Sequence, residues 1–423
     1  MTKMKRLLAL MLALLMVFSL AACGGGEEAS GDDAGKLEIT WWAFPTFGVD
    51  SGYEQEVDDA FMAANPDIKV NVEIIDFTAG PDKLTAAMTS GTAPDVLFDA
   101  PGRIIEYGNG GYLVALDDMV AALESDLTSA SLVETCVGAD GTAWMYPISA
   151  APFYMGLNKE ALEAADALQY VNLEGERLWT TDDFVKMCEA LAAAEATPVP
   201  GIVYCGGQGG DQGTRALVNN LYSSSIVAAD GKWNVDANGV KALELLKSMY
   251  DAKTMDAGFD MAAADELQKF QNETAAMTFC WGTSNAKSYA SEDYTQISVP
   301  FPSEDGVPSL EYLVNGFCVF DNQDEARAEA AKKLIAFICD DAEWGPKSVK
   351  QSGAFPVRTS YGNLYEGDEE MSLLSSWTKY YGPYYNTRAG FAGMRTEWWN
   401  MLQRVFQEGD VQAQADIFNT NAN

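Results

Sequence analysis

Residues 37–75 read "LEITWWAFPTFGVDSGYEQEVDDAFMAANPDIKVNVEII". The runs "LEITWWAF" (37–44) and "IKVNVEII" (68–75) are rich in β-branched and aromatic residues, which predicts two strands, the second with Ile68, Val70, Val72 and Ile74 on one face. Between them "YEQEVDDAFMAANP" predicts a helix that stops at Asn65-Pro66, because proline disfavours helical backbone in the residue before it. A second helix over Pro81 to Ser90 leads into the short apolar run "DVLF" (95–98), read as a buried strand. Strand, helix, strand, helix, strand is a βαβαβ unit, so the chain predicts an α/β class with a mostly parallel sheet under covering helices.

The pattern continues downstream. "TTDDFVKMCEALAAAEATP" opens on a capping threonine and acids and sets Phe184, Met187, Cys188 and Leu191 on one stripe. "DANGVKALELLKSMYD" does the same with Leu243, Leu246 and Tyr250, and "DEARAEAAKKLIAFICDD" with Ala328, Ala331, Ile335 and Ile338. The chain from Leu37 onward exceeds one typical core and predicts two lobes.

Upstream, Lys3, Lys5 and Arg6 precede an apolar run, Leu7 to Leu20, that is too short to span a bilayer and reads as a signal peptide over 1–22. Leu20-Ala21-Ala22-Cys23 resembles the bacterial lipobox, in which the cysteine becomes the lipidated N-terminus. Residues 23–36, rich in glycine and acids, then form a flexible tether. The expected location is the extracytoplasmic face of the cell membrane, with a lipid anchor as the only membrane attachment.

The sequence holds 27 basic and 62 acidic residues, a net charge of −35, and without the signal's three basic residues 24 against 62, or −38. Such a field repels nucleic acid and anionic lipid, so neither is expected as a partner. With no histidine and no CxxC pair, the usual zinc and copper ligands and every histidine-based nucleophile are excluded, and neither metal nor cofactor is expected. Four of the six cysteines after Cys23 (Cys205, Cys280, Cys318 and Cys339) lie singly in apolar runs and Cys188 in a helical stripe, which favours free buried thiols over bridges.

Five further stretches carry a resemblance: "TAPDVLFDAPGRIIEYGNGGYLVALDD" (92–118), "GTAWMYPISAAPFYMGLNKEAL" (141–162), "FQNETAAMTFCWGTS" (270–284), "ISVPFPSEDG" (297–306) and "NGFCVFDNQDEARAEAAKKLIAFICDD" (315–341). In this order they resemble landmarks of the extracellular solute-binding proteins of ABC transporters, in the maltose-binding-protein-like group, and "SGAFPVR" (352–358) continues the likeness. The resemblance implies a two-lobed periplasmic-binding-protein-like α/β fold with the ligand cleft between lobes joined by crossing strands. The crossings are expected near Ser149–Phe153, Tyr312–Gly316 and Phe355. That gives an N-terminal lobe of 37–150 plus 316–353 and a C-terminal lobe of 151–315 plus 354–423. It further implies a monomer that captures a carbohydrate and delivers it to ABC permease subunits, and that is not an enzyme.

Candidate contacts follow. Trp41 and Trp42 end the first strand, and because strand side chains alternate faces, one is expected in the core and the other against ligand. Arg103 falls where the resemblance places a ligand-contacting arginine, whereas Asp99 stands where those relatives have tryptophan and Gly102 where they have aspartate, a departure from a maltodextrin site. Phe153 and Tyr154 could offer apolar contact beside Ala151, where the relatives have glutamate. The glycine-rich "YCGGQGGDQGTR" (204–215) lacks a P-loop ending; either it presents amides with Asp211, Gln212 and Arg215 to hydroxyls, or it is turn chemistry. Trp281 ends the strand "AAMTFCW", where the resemblance puts an aromatic contact. Trp398 or Trp399, in an aromatic-rich segment with Tyr385, falls near a stacking tryptophan of the relatives. Two other functions stay open: an exported hydrolase using paired carboxylates, and capture of a cation such as a polyamine, suggested by the charge.

Overall fold

The structure is a computed structural model and describes residues 35–44, 52–75, 79–129, 131–194, 198–207, 210–262 and 265–423. The signal peptide, Cys23 and nearly all of the tether lie outside the described residues.

The βαβαβ reading holds. Strands β1 (Leu37–Ala43), β2 (Ile68–Ile74) and β3 (Val96–Asp99) alternate with helices Tyr53–Ala64 and Gly80–Ser90. β1 pairs in parallel with both β2 and β3. The remaining strands are β4 (Tyr146–Pro152), β5 (Tyr154–Asn158), β6 (Ile202–Tyr204), β7 (Asp256–Gly258), β8 (Met277–Trp281), β9 (Gln296–Val299), β10 (Tyr312–Val319) and β11 (Phe355–Pro356). The first sheet has the order β11-β4-β10-β3-β1-β2. Its β10 is antiparallel to β3 and β4, and β11 is antiparallel to β4, so only half of this sheet is parallel. The expectation of a mostly parallel sheet fails there because these strands belong to chain passes between the lobes and not to βαβ crossovers. β2 is the edge, and the inward face expected of it fades along its length: Ile68 and Val70 are buried, Ile74 exposed.

A second sheet, β8-β5-β9, is antiparallel, and β6-β7 form a parallel pair. Two separate hydrophobic cores result. One gathers Ile39, Val96, Phe98, Val314, Phe317, Leu334 and Ile338 around the six-stranded sheet. The other gathers Leu157, Phe184, Leu191, Leu217, Leu246, Phe279 and Met401 around β5 and β8. The chain passes from the first to the second at Phe153, whose N–H donates to the Glu311 carbonyl on the returning pass. The pairing of β10 from Tyr312 and of β11 with β4, together with hydrogen bonds from Thr128 to Val357 and from Ser360 to Asp126, ties 312–315 and 355–360 to the first sheet. The first sheet thus extends beyond the boundaries expected at 316 and 353.

All six described cysteines are free and buried, as their apolar neighbours predict. Phe184, Met187, Cys188 and Leu191 form the buried stripe of helix Thr181–Ala193, and the Thr180 hydroxyl caps it by accepting from the Asp183 N–H.

One buried acid predicts a pH-dependent stability. Asp58 in helix Tyr53–Ala64 is fully buried and neither carboxylate oxygen has a hydrogen-bond partner among the described residues. Burial, and next Asp59 and Glu54, push its pKa from 3.8 to about 8. A carboxyl held neutral in the fold binds more protons than the unfolded chain, so its contribution to stability is complete below about pH 4 and lost as pH rises toward 8. Melting of Asp58→Asn across pH 4 to 8 should show a shallower fall than the parent and a higher Tm at pH 8; parallel curves would remove Asp58 as the cause.

Candidate ligand-binding cleft

A cavity of about 890 Å³ opens where the two cores face each other. One wall is the start of helix Pro101–Asn109 with the Glu134–Ala139 turn; the other is the segment Tyr384–Arg395, which enters helix Phe391–Glu408. This volume is within the range of sites that enclose small ligands.

Arg103 lines the first wall, one helical turn after β3. Its Nε and Nη2 donate to Asp99 Oδ2 and Oδ1, both at 2.6 Å, and Asp99 Oδ1 also accepts the Ala100 N–H at 2.7 Å. Asp99 is 3 % exposed and the arginine side chain 36 %, so a buried carboxylate anchors a guanidinium that reaches the cavity. Burial raises the Asp99 pKa, and the two guanidinium hydrogen bonds oppose that rise. The Arg103 guanidinium also lies 4.4 Å from the Phe44 ring centroid, which supports its plane.

The second wall repeats the device. Arg395 donates from Nε and Nη2 to Asp211 at 2.7 and 2.6 Å. Asp211, 1 % exposed, also accepts from Arg215 Nη1. Arg215 in turn reaches the Tyr385 hydroxyl at 3.2 Å and Glu311 at 3.5 Å, and Tyr385 donates to Glu311. Burial disfavours the Arg215 cation, but Glu311, Tyr385 and Asp211 outweigh it and hold its pKa above the ordinary arginine value. The network ties the cleft to the chain pass through Glu311.

Of the expected contacts, Arg103 alone lines the cavity, with Asp99 directly behind it. Asp211 and Tyr385 lie behind Arg395 and do not line the cavity. Trp41 is fully buried against Phe317, so it is the core member of its pair; Trp42 is half-buried with the Lys83 ammonium 4.3 Å from its ring, away from the cavity. Trp281 is fully buried between Phe270 and Gly156, and Trp398 donates its indole N–H to Thr214 and packs on Phe418. Neither offers a ring face in this structure, which corrects their assignment as stacking platforms. Phe153 and Trp399 are half-buried outside the cavity lining. Gly213, in the first turn of helix Asp211–Leu221, serves packing: a Cβ on it would sit 2.4 Å from the Phe279 carbonyl, so its absence lets the helix close onto β8.

The lining residues that the sequence reading missed are Arg388 and Arg395, with Asn386 and Thr387 between aromatics. Tyr384 and Phe391 supply the apolar surface there. Their signal was the alternation of arginine, amide and aromatic residues over 384–395.

Two cores joined by repeated chain passes, with a walled cavity between them, define a two-lobed binding-protein fold. The chain belongs to the bacterial extracellular solute-binding protein family, whose model matches residues 45–343. It is similar to a binding protein of Brucella abortus, 29 % identical over 363 residues, 82 % of this chain and 83 % of that one. It is also similar to the maltooligosaccharide ABC transporter solute-binding lipoprotein of Streptococcus pneumoniae, 30 % identical over 166 residues, 38 % of this chain and 37 % of that one. The solved sugar-binding protein MalE of Xanthomonas citri superposes with a TM-score of 0.73 at 16 % identity, over 91 % of this chain and 96 % of that one, and supports the fold.

Proposed function

We propose that this protein captures a sugar or oligosaccharide in the cleft between its lobes and hands it to an ABC import permease, without chemistry of its own. The carrying observation is the cavity walled by both cores, with anchored arginines, amides, Tyr384 and Phe391 converging on it. Sugar rings present an apolar face and a hydroxyl rim, and this lining suits both. Family membership and the sugar-related names of the pneumococcal and Xanthomonas relatives support the reading. The lobes are 37–152 plus 312–361 and 153–311 plus 362–423, and ligand shifts them toward a closed form that the permease recognises. Three arginines in the lining oppose capture of a polyamine.

A thermal-shift screen over mono- and oligosaccharides, polyamines and peptides tests this. A ligand at 100 times its Kd adds about 2.7 kcal/mol, or about 3 °C in Tm for a protein of this size. A shift with a polyamine or peptide and none with any sugar would overturn the proposal. The protein works as a monomer held on the outer face by a lipid on Cys23, and among the described residues no helix is long and apolar enough to cross a membrane. Cys23→Ala should leave the membrane fraction and appear soluble; retention on the membrane would refute the anchor.

A further inference from the structure

Arginine is concentrated at the cleft, with the carboxylates Asp99 and Asp211 directly behind two of the three. Over the whole sequence acids outnumber bases 62 to 27, yet the cavity lining holds three arginines, Arg103, Arg388 and Arg395, against two acids, Glu106 and Glu134. Only nine arginines occur in the sequence, and no lysine lines the cavity. Arginine presents a planar fork that matches carboxylate geometry, which a lysine does not.

Two of these forks are built in. Arg103 and Arg395, from opposite walls, are each held by two hydrogen bonds to a carboxylate, Asp99 or Asp211, that is almost wholly buried. Those bonds use Nε and Nη2, so the Nη1 groups remain for a ligand. Arg388 is exposed and forms no ion pair among the described residues. Unlike Arg103 and Arg395, it has no anchoring carboxylate among the described residues.

The backbone adds to this. Helix Pro101–Asn109 and helix Phe391–Glu408 both begin at the cavity, through Ala100, Gly102 and Arg103 on one side and Gly390, Phe391 and Ala392 on the other. Neither helix start has a side-chain cap. Each leaves amide N–H groups without an intrahelical acceptor and the positive end of its dipole toward the cavity. A Cβ on Gly393 would meet nothing within 4 Å, so backbone at the start of helix Phe391–Glu408 is open to close approach, whereas one on Gly102 would lie 3.8 Å from the Asn386 carbonyl of the opposite wall.

We infer that the ligand is an acidic oligosaccharide, one whose sugar units carry carboxylates, as uronates do. The inference rests on the sugar-binding reading and deepens it. One uronate carboxylate meets Arg388 and the start of helix Phe391–Glu408, while the Nη1 groups of Arg103 and Arg395 serve the neighbouring hydroxyls or a second carboxylate. Sulfated or phosphorylated sugars share this anionic chemistry and are separated by the test.

Calorimetry on the intact chain in detergent, with digalacturonate, maltotriose, a sulfated disaccharide and glucose 6-phosphate as probes, decides it. Digalacturonate should bind at least about tenfold more tightly than maltotriose, the size of one charge-assisted hydrogen bond gained. Its affinity should also fall as salt rises. Arg388→Gln, at an exposed position where folding is not at stake, should lower the digalacturonate-to-maltotriose affinity ratio by about tenfold. Arg395→Lys, which keeps the charge and loses the fork, should lower it as well. Equal or tighter maltotriose binding would overturn the inference and leave the sugar-binding reading standing. Tighter binding of the sulfate or phosphate ester would overturn the carboxylate assignment, and binding of none of the sugars beside a hit among other solutes would overturn both readings.

Discussion

Asp211→Ala should lower Tm by about 4 °C, because it removes the carboxylate that holds two arginines, one of them wholly enclosed. Arg215 is 1 % exposed and has Asp211, Glu311 and Tyr385 as polar partners; Arg395 leans on the same Asp211 from the cleft side. Removing one member of a buried ion pair costs about 3–5 kcal/mol, chiefly the penalty of the charge left behind. Glu311 stays 3.5 Å from Arg215, and Arg395, 18 % exposed, can turn to water, so the low end near 3 kcal/mol applies. Asp211→Asn should cost less, since the amide oxygen still accepts one bond. Ligand affinity should fall in both, because the Arg395 fork loses its anchor. A Tm within about 1 °C of the parent would mean the network contributes no more than an exposed pair does.

The same residue shows where the sequence stops being legible. The strand and helix order of the first hundred residues of the body was plain, because periodicity and the Asn65-Pro66 stop are local properties of the chain. The buried stripe of helix Thr181–Ala193 was plain for the same reason. What Asp211 does depends on Arg395, 184 residues away, and on Glu311, which no local pattern connects to it. Its position after a glycine-rich loop suggested a hydroxyl contact, whereas in the fold its oxygens are taken by two guanidinium groups. Arg103 could be placed because it follows β3 by a fixed short spacing, and its ion pair with Asp99 is one turn of the same helix start. Arg388 and Arg395 could not, because their meaning comes from facing Arg103 across the lobes.

Trp281→Ala is expected to act on stability and not on affinity. The sequence position, at the end of β8, suits a ring that projects into a cleft. The fold instead closes over it: Phe270 meets it edge-on at 5.1 Å, and Gly156 on the paired strand β5 leaves the space in which it lies. A Cβ at Gly156 would come within 3.1 Å of the indole, so the glycine and the tryptophan fit as a pair. Emptying a fully buried tryptophan costs about 3–5 kcal/mol, the lost transfer energy plus the cavity left behind. In a protein of this size that is about 5 °C in Tm. Trp281→Phe, which keeps most of the ring volume, should lose less than half as much. Sugar affinity of the Trp281→Ala protein, measured well below its lowered Tm, should stay within about twofold of the parent, since the lost contacts lie in the second core. A Trp281→Ala protein with parental Tm and sharply weaker sugar binding would put this ring back in the cleft.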